Sequence, residues 1–303
     1  MSWQQHTSAI VSGFIGDWLE NQGNPLAVPM TFLSQGLSVP EAHPAVAVTK
    51  PHSTVIVLVH GLMELESVWQ FTGQPDANYG TEVADALADG ASTLCLRYNT
   101  GRPIYCNGQA LAGRMERLLG NWPVPVERLI LVGHSMGGLV IRSACHYGVL
   151  EKHQWVSSLQ DCVYIGSPHD GSWLAKGAQA GARILNALPR DYLRVAGEVI
   201  DLRSDGIRNL TRGDILAGEG ELAGLVPDVR HYVVCGLLAR QRNPINALFG
   251  DALVHEASAR GDAQGRESEG GWALTASATF EGVDHLRLAH HGAVAEQLVE
   301  WLA

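Results

Sequence analysis

The run Leu129-Ile130-Leu131-Val132-Gly133-His134-Ser135-Met136-Gly137-Gly138 constrains this chain more than any other stretch, because it joins an apolar strand pattern directly to a G-x-S-x-G pentapeptide. A hydroxyl nucleophile must stand clear of the backbone, so the strand has to turn sharply into a helix, and a side chain at Gly133 or Gly137 would obstruct that turn. The residues that follow, Leu139-Val140-Ile141-Arg142-Ser143-Ala144-Cys145, are apolar and small enough for the helix of such an elbow. Ser135 is the candidate nucleophile. The pentapeptide alone would equally suit a Gly-rich turn carrying an inert serine; the strand before it and the helix pattern after it favour the elbow.

Around this elbow the chain alternates strand and helix patterns. Strands are expected at 55–59, 93–97, 129–132, 162–165, 231–236 and 273–280, and helices at 79–88, 109–119, 136–149 and 289–302. An amphipathic helix at 3–20, with Trp3, Ile10, Phe14 and Trp18 near helical spacing, is expected to pack on the core. Alternation of this kind implies an α/β fold: a mostly parallel central sheet flanked by helices, with ligands bound outside the carboxyl ends of the strands. The segment 170–228 is too long for a simple crossover. Its stripe of Leu188, Tyr192, Val195, Val199 and Leu202 reads as a helical cap inserted over the site edge, although packing on the body would use the same stripe. The tract 256–271, rich in Gly, Ala and charge, reads as a surface loop.

With 303 residues, of which 46% are hydrophobic and 17% charged, the chain suits one α/β domain over 1–303 with that insertion. The 31 acidic residues outnumber the 21 basic ones for a net charge of -10, and no Lys/Arg run occurs, which argues against a nucleic-acid partner. The first thirty residues hold Asp17 and Glu20 but no apolar segment long enough for a signal peptide or membrane span, so cytoplasmic residence is expected. Five cysteines, three of them inside strand patterns (Cys95, Cys162 and Cys235), form neither a disulfide framework nor a metal-binding spacing. No metal or other cofactor is expected. The oligomeric state is left open.

A serine hydroxyl becomes a useful nucleophile when a base takes its proton, a third group orients the base, and donors meet the developing oxyanion. In an elbow of this type the acid and base follow the serine in the chain, which excludes His60 and directs attention beyond residue 236. Asp251, in Phe249-Gly250-Asp251-Ala252-Leu253-Val254, is the candidate acid; as a bland alternative it would cap a helix. His285, in Phe280-Glu281-Gly282-Val283-Asp284-His285 at the end of the last strand, is the candidate base, because His290 and His291 are expected to lie inside the final helix. The oxyanion donors are expected to be the backbone N–H groups of Met136 and of Leu62, with Met63 as the neighbouring alternative. Met63, Trp69 and His169 are candidates to line a substrate pocket, against the plainer readings of core packing for Trp69 and a structural turn for His169.

Five motifs, Leu58-Val59-His60-Gly61-Leu62, the Gly133–Gly138 elbow, Gly166-Ser167-Pro168-His169-Asp170-Gly171, Gly250-Asp251-Ala252-Leu253-Val254 and Val283-Asp284-His285-Leu286, resemble those of the α/β-hydrolase superfamily. The resemblance is to its lipase-like branch, which includes GPI inositol-deacylase-like proteins and bacterial triacylglycerol lipases. It covers residues 55–302 and implies Ser135, Asp251 and His285 as the triad. Ala252 departs from the family's usual Gly-Asp-Gly-Leu-Val. The implied activity is carboxylic ester hydrolysis through an acyl-enzyme on a small-molecule or lipid ester. Acyl transfer from the same intermediate, or ligand binding without turnover, would use the same fold.

Overall fold

The central strands Thr54–Val59, Arg128–His134 and Leu159–Ile165 are buried on both faces, and the structure shows what covers each. The computed structural model describes residues 27–74, 76–167, 215–217, 223–237 and 274–303, together with Gly16, Glu20 and Gln22. Along β3 (Thr54–Val59), Val55, Val57 and Val59 point into one apolar cluster and Ile56 and Leu58 into another. The first cluster is closed by α2 (Ile104–Gly120) and α3 (Met136–Leu150), the second by α1 (Tyr79–Ala86) and α4 (Gly292–Leu302). Side-chain alternation with period two thus makes a three-layer sandwich, and each fully buried Leu or Ile contributes roughly 1.5–3 kcal/mol.

Among the described residues the sheet has eight strands, in the order β2-β1-β4-β3-β5-β6-β7-β8. β4 (Ser92–Arg97), β3, β5 (Arg128–His134), β6 (Leu159–Ile165), β7 (Arg230–Leu237) and β8 (Ala276–Glu281) run parallel. β1 (Thr31–Ser34) and β2 (Leu37–Val39) add an antiparallel hairpin on β4. The chain goes from β3 outward to β4, then crosses back over β3 to β5. The strand order therefore reverses between β3 and β5, and their carboxyl ends flank the crevice where ligands bind in open α/β sheets.

The six strands expected from sequence all occur, each displaced by at most a few residues. The β1–β2 hairpin was not expected; its two-residue turn places Gln35 at φ 48° and Gly36 at φ 79°, the left-handed pair that a tight hairpin needs. α2 begins at Ile104 rather than 109, directly after Pro103, whose ring suits a helix start. The last helix begins at Gly292 rather than 289, because Arg287–Ala289 form a separate 3-10 turn. The expected amphipathic helix at 3–20, the cap at 170–228 and the loop at 256–271 lie wholly or mostly outside the described residues. Of the first of these, the Gly16 carbonyl and the Glu20 carboxylate accept from the Asn99 side chain at 2.8 and 3.0 Å. No helix among the described residues is long and apolar enough to cross a membrane.

Candidate active site

Ser135 occupies the junction of β5 and α3 with φ 53° and ψ -123°, a conformation that non-glycine residues adopt only under constraint. The constraint is packing. A Cβ at Gly137 would lie 2.1 Å from the Val59 carbonyl oxygen, and one at Gly133 would lie 2.5 Å from the Gly138 nitrogen. Both glycines are needed for the helix to start hard against the sheet. The Ser135 N–H donates to the Ile165 carbonyl at 2.8 Å, which holds the elbow to the end of β6.

His285 lies in the turn after β8, three strands away from β5 in the sheet. The segment that carries it is drawn back over β6 and β7 by contacts to other elements. His134 Nε2 donates to the His285 carbonyl at 2.9 Å, the Tyr79 hydroxyl donates to the Leu288 carbonyl at 2.5 Å, and His290 Nδ1 donates to the Val68 carbonyl at 3.0 Å. The His285 ring rests on Gly166, where a Cβ would approach its Nδ1 to 3.0 Å, and its centroid is 4.7 Å from that of His134. Gly166 directly follows Ile165, whose carbonyl is bonded to the Ser135 N–H, so Ser135 and the His285 ring are both anchored at the end of β6. Both are almost buried, at 5% and 6% exposure. Burial, then the His134 charge, push the His285 pKa down to about 3 against a smaller opposing pull from Glu64, so the imidazole is neutral and able to accept a proton at neutral pH.

The loop after β3 faces the elbow. The Met63 N–H is engaged by the Thr100 hydroxyl at 3.3 Å, whereas the Leu62 N–H has no hydrogen-bond partner among the described residues. The Met136 N–H, at the first position of α3, has no intrahelical acceptor. His60 is buried, stacks on Tyr98 at 4.5 Å, and is kept neutral by desolvation; it orders the loop. Trp69 is fully buried against Tyr79 and the edge of His134, which is the core-packing alternative and leaves it no surface to offer a ligand. His290 and His291 precede the final helix instead of lying in it, His291 at its N-cap. Asp284 caps the turn beside it, accepting from the Arg287 N–H at 3.0 Å. Asp251 and His169 lie outside the described residues.

Sequence reasoning missed Glu64. Its Oε2 accepts from the Gly61 N–H at 2.7 Å and from His134 Nδ1 at 2.9 Å. Burial alone would raise the Glu64 pKa, but the charge and hydrogen bond of His134 outweigh it and hold the carboxyl below its ordinary range. Burial likewise acts to lower the His134 pKa, and Glu64 together with the His285 carbonyl reverses this and raises it. Glu64 and His134 are 70 positions apart, so no local pattern could have paired them. Among the described residues no group of three or more His, Cys, Asp or Glu side chains is placed to hold a metal ion.

A serine on a strained strand-to-helix turn at the switch point of a mostly parallel sheet, with a histidine brought over it from the loop after the last strand, defines the α/β-hydrolase fold, and this chain has it. A family model described as PGAP1-like alpha/beta domain matches residues 114–188, a stretch that contains the elbow. Among solved structures, an esterase of Pyrococcus furiosus is similar at 14% identity and a TM-score of 0.50, over 83% of this chain and 81% of that one. A thermophilic esterase of Thermogutta terrifontis (14% identity, TM-score 0.47, 92% and 94% covered) is also similar. So is the RedJ thioesterase of the Streptomyces coelicolor prodiginine pathway (14%, 0.42, 83% and 87%). At these identities the likeness concerns the fold. No curated protein sequence matches the chain.

Proposed function

We propose that the protein is a serine carboxylic ester hydrolase. Ser135 attacks the ester carbonyl while His285 takes its proton; the oxyanion is met by the N–H groups of Leu62 and Met136; His285 returns the proton to the departing alcohol; and water then releases the acid from the acyl-enzyme. The observation that carries this reading is the strained Ser135 at φ 53°, tied to the Ile165 carbonyl, together with a buried, neutral His285 against the next residue, Gly166. The engagement of the Met63 N–H by Thr100 favours Leu62 as the second donor. One such donor is worth about 2.7–4 kcal/mol in a serine hydrolase.

Asp251 is assigned as the acid that orients His285, because it follows β7 in the chain and the family order places the acid between serine and histidine. The segment 170–228 is assigned as the cap of a single domain. It leaves the sheet at the carboxyl end of β6, which is the edge that carries Ser135, and its apolar stripe suits the acyl chain of an ester.

Intact-mass labelling with a fluorophosphonate tests the mechanism, followed by turnover of p-nitrophenyl esters from short to long chain. Wild type labels once and Ser135→Ala does not; Asp251→Asn labels more slowly. Turnover retained in Ser135→Ala would refute the reading, and a sharp preference for acetate esters would refute the acyl-chain assignment.

A further inference from the structure

The residue before the nucleophile, His134, has a ring whose two nitrogens both face oxygen acceptors. Nδ1 lies 2.9 Å from Glu64 Oε2 and Nε2 lies 2.9 Å from the His285 carbonyl oxygen. A carbonyl can only accept, so Nε2 must carry a proton. Glu64 Oε2 also accepts from the Gly61 N–H at 2.7 Å, and Glu64, held below its ordinary range, is a carboxylate; it accepts from His134 as well, and Nδ1 carries the second proton. The ring is wholly buried and the Glu64 side chain is 9% exposed. An imidazolium and a carboxylate are therefore held out of water against each other, each with a further hydrogen bond to backbone, which is the condition for a buried pair to persist.

We infer that Glu64 and His134 form a carboxylate–imidazolium bridge that positions the catalytic loops, with Glu64 holding the loop of the oxyanion donor and His134 holding the carbonyl of the base. The bridge joins the ends of β3, β5 and β8. β8 is not adjacent to either of the others in the sheet, so no backbone ladder can set that spacing. Gly61 is gripped between the Glu64 carboxylate and the Ser135 side chain, where an added Cβ would stand 2.9 Å from each. Glu64 and His134 are positioning residues, and neither touches the reacting atoms. The charged and titratable groups that face the pair are His285 from the loop after β8, His60 from the end of β3 and Tyr98 from the end of β4.

This inference rests on the proposed hydrolase reading for its kinetic consequence but not for the bridge itself, and the experiment separates the two. Glu64→Gln is the informative substitution. Its amide is nearly isosteric and removes the charge; because one oxygen, Oε2, serves both partners, the amide keeps either the bond to the Gly61 N–H or, through its NH2, a bond to a neutral His134. In imidazole-15N-labelled wild type, His134 is expected to show two ring N–H protons at neutral pH, and one in Glu64→Gln. A singly protonated His134 in wild type would overturn the bridge, whatever the protein's activity. Amide exchange at Leu62 and at the 284–286 turn is expected to quicken in Glu64→Gln. Fluorophosphonate labelling of Ser135 is expected to slow by about 10- to 100-fold, in kcat rather than KM when an ester is used, as displaced groups produce. Equal exchange and equal labelling in the two proteins would overturn the positioning role. Absence of labelling in wild type would sink the hydrolase reading, and the nitrogen spectra and amide exchange would still decide the bridge.

Discussion

Two carboxylates are buried at opposite ends of the same sheet, and they are neutralised by different means. At the amino end Asp161, fully buried in β6, is clasped by Arg128 Nε at 3.0 Å and Arg230 Nη2 at 2.9 Å from the starts of β5 and β7. At the carboxyl end Glu64 is matched by His134. Guanidinium stays charged at any pH a protein meets, so the amino-end clasp ties three neighbouring strands permanently. An imidazolium holds its proton only as long as its surroundings favour it, and this one lies beside Ser135 and His285. One end of the sheet is built for constancy. The other carries a charge pair that acts on the groups around it.

The largest effect that would test this division is on chemistry alone. Ser135→Ala is expected to reduce ester turnover by at least about ten-thousand-fold, while the urea midpoint stays level, since alanine keeps the Cβ and the backbone strain of the turn. A folded variant with near-normal turnover would break the comparison at its functional end. Next comes His134→Ala, which leaves Glu64 buried without its counter-ion. A cost of about 3–5 kcal/mol is expected in urea unfolding, together with slower labelling of the surviving fold. A stable, fully active variant would place the pair on a par with ordinary packing.

At the constant end, Asp161→Asn is expected to cost about 1.5–3 kcal/mol, the range for a hydrogen bond to a charged group, with kcat per folded molecule unchanged. A fall in kcat would mean that the two ends are coupled through β5 and β6. A further test uses pH. His285 has its pKa lowered from 6.5 to about 3, so its neutral form contributes stability that is whole above pH 6.5 and is lost as pH falls toward 3. His134 has its pKa raised, so its contribution is whole below 6.5 and is lost as pH rises through its folded value. Urea titrations of His285→Gln and wild type should therefore converge on the acid side, and the acid limb of kcat/KM should lie below pH 6.5. A limb at 6.5 would mean that the base is an ordinary exposed histidine.

Much of the fold was legible because each cue was local. The apolar runs at β3, β5 and β6 are buried on both faces and so read as continuous strands, and Gly133 and Gly137 stand where a Cβ would strike backbone. The hairpin of β1 and β2 was harder to see, since strands of four and three residues carry little periodicity, although the Gln35-Gly36 turn was a signal in plain view. The start of α2 was obscured by Asn107 and Gly108, polar and small residues whose place in a buried helix depends on what packs against them. Trp69 could be read either way from sequence; only its neighbours Tyr79 and His134 settle it as core.

What the sequence determined by itself was the parallel α/β framework and the site of its sharpest turn, because steric exclusion at a glycine and alternation along a strand act between residues near one another in the chain. What only the tertiary structure decided was which loops face that turn. The anchoring of His285 over the end of β6 and the pairing of Glu64 with His134 join segments 151 and 70 positions apart. Such contacts depend on the order of strands in the sheet, which no local pattern encodes.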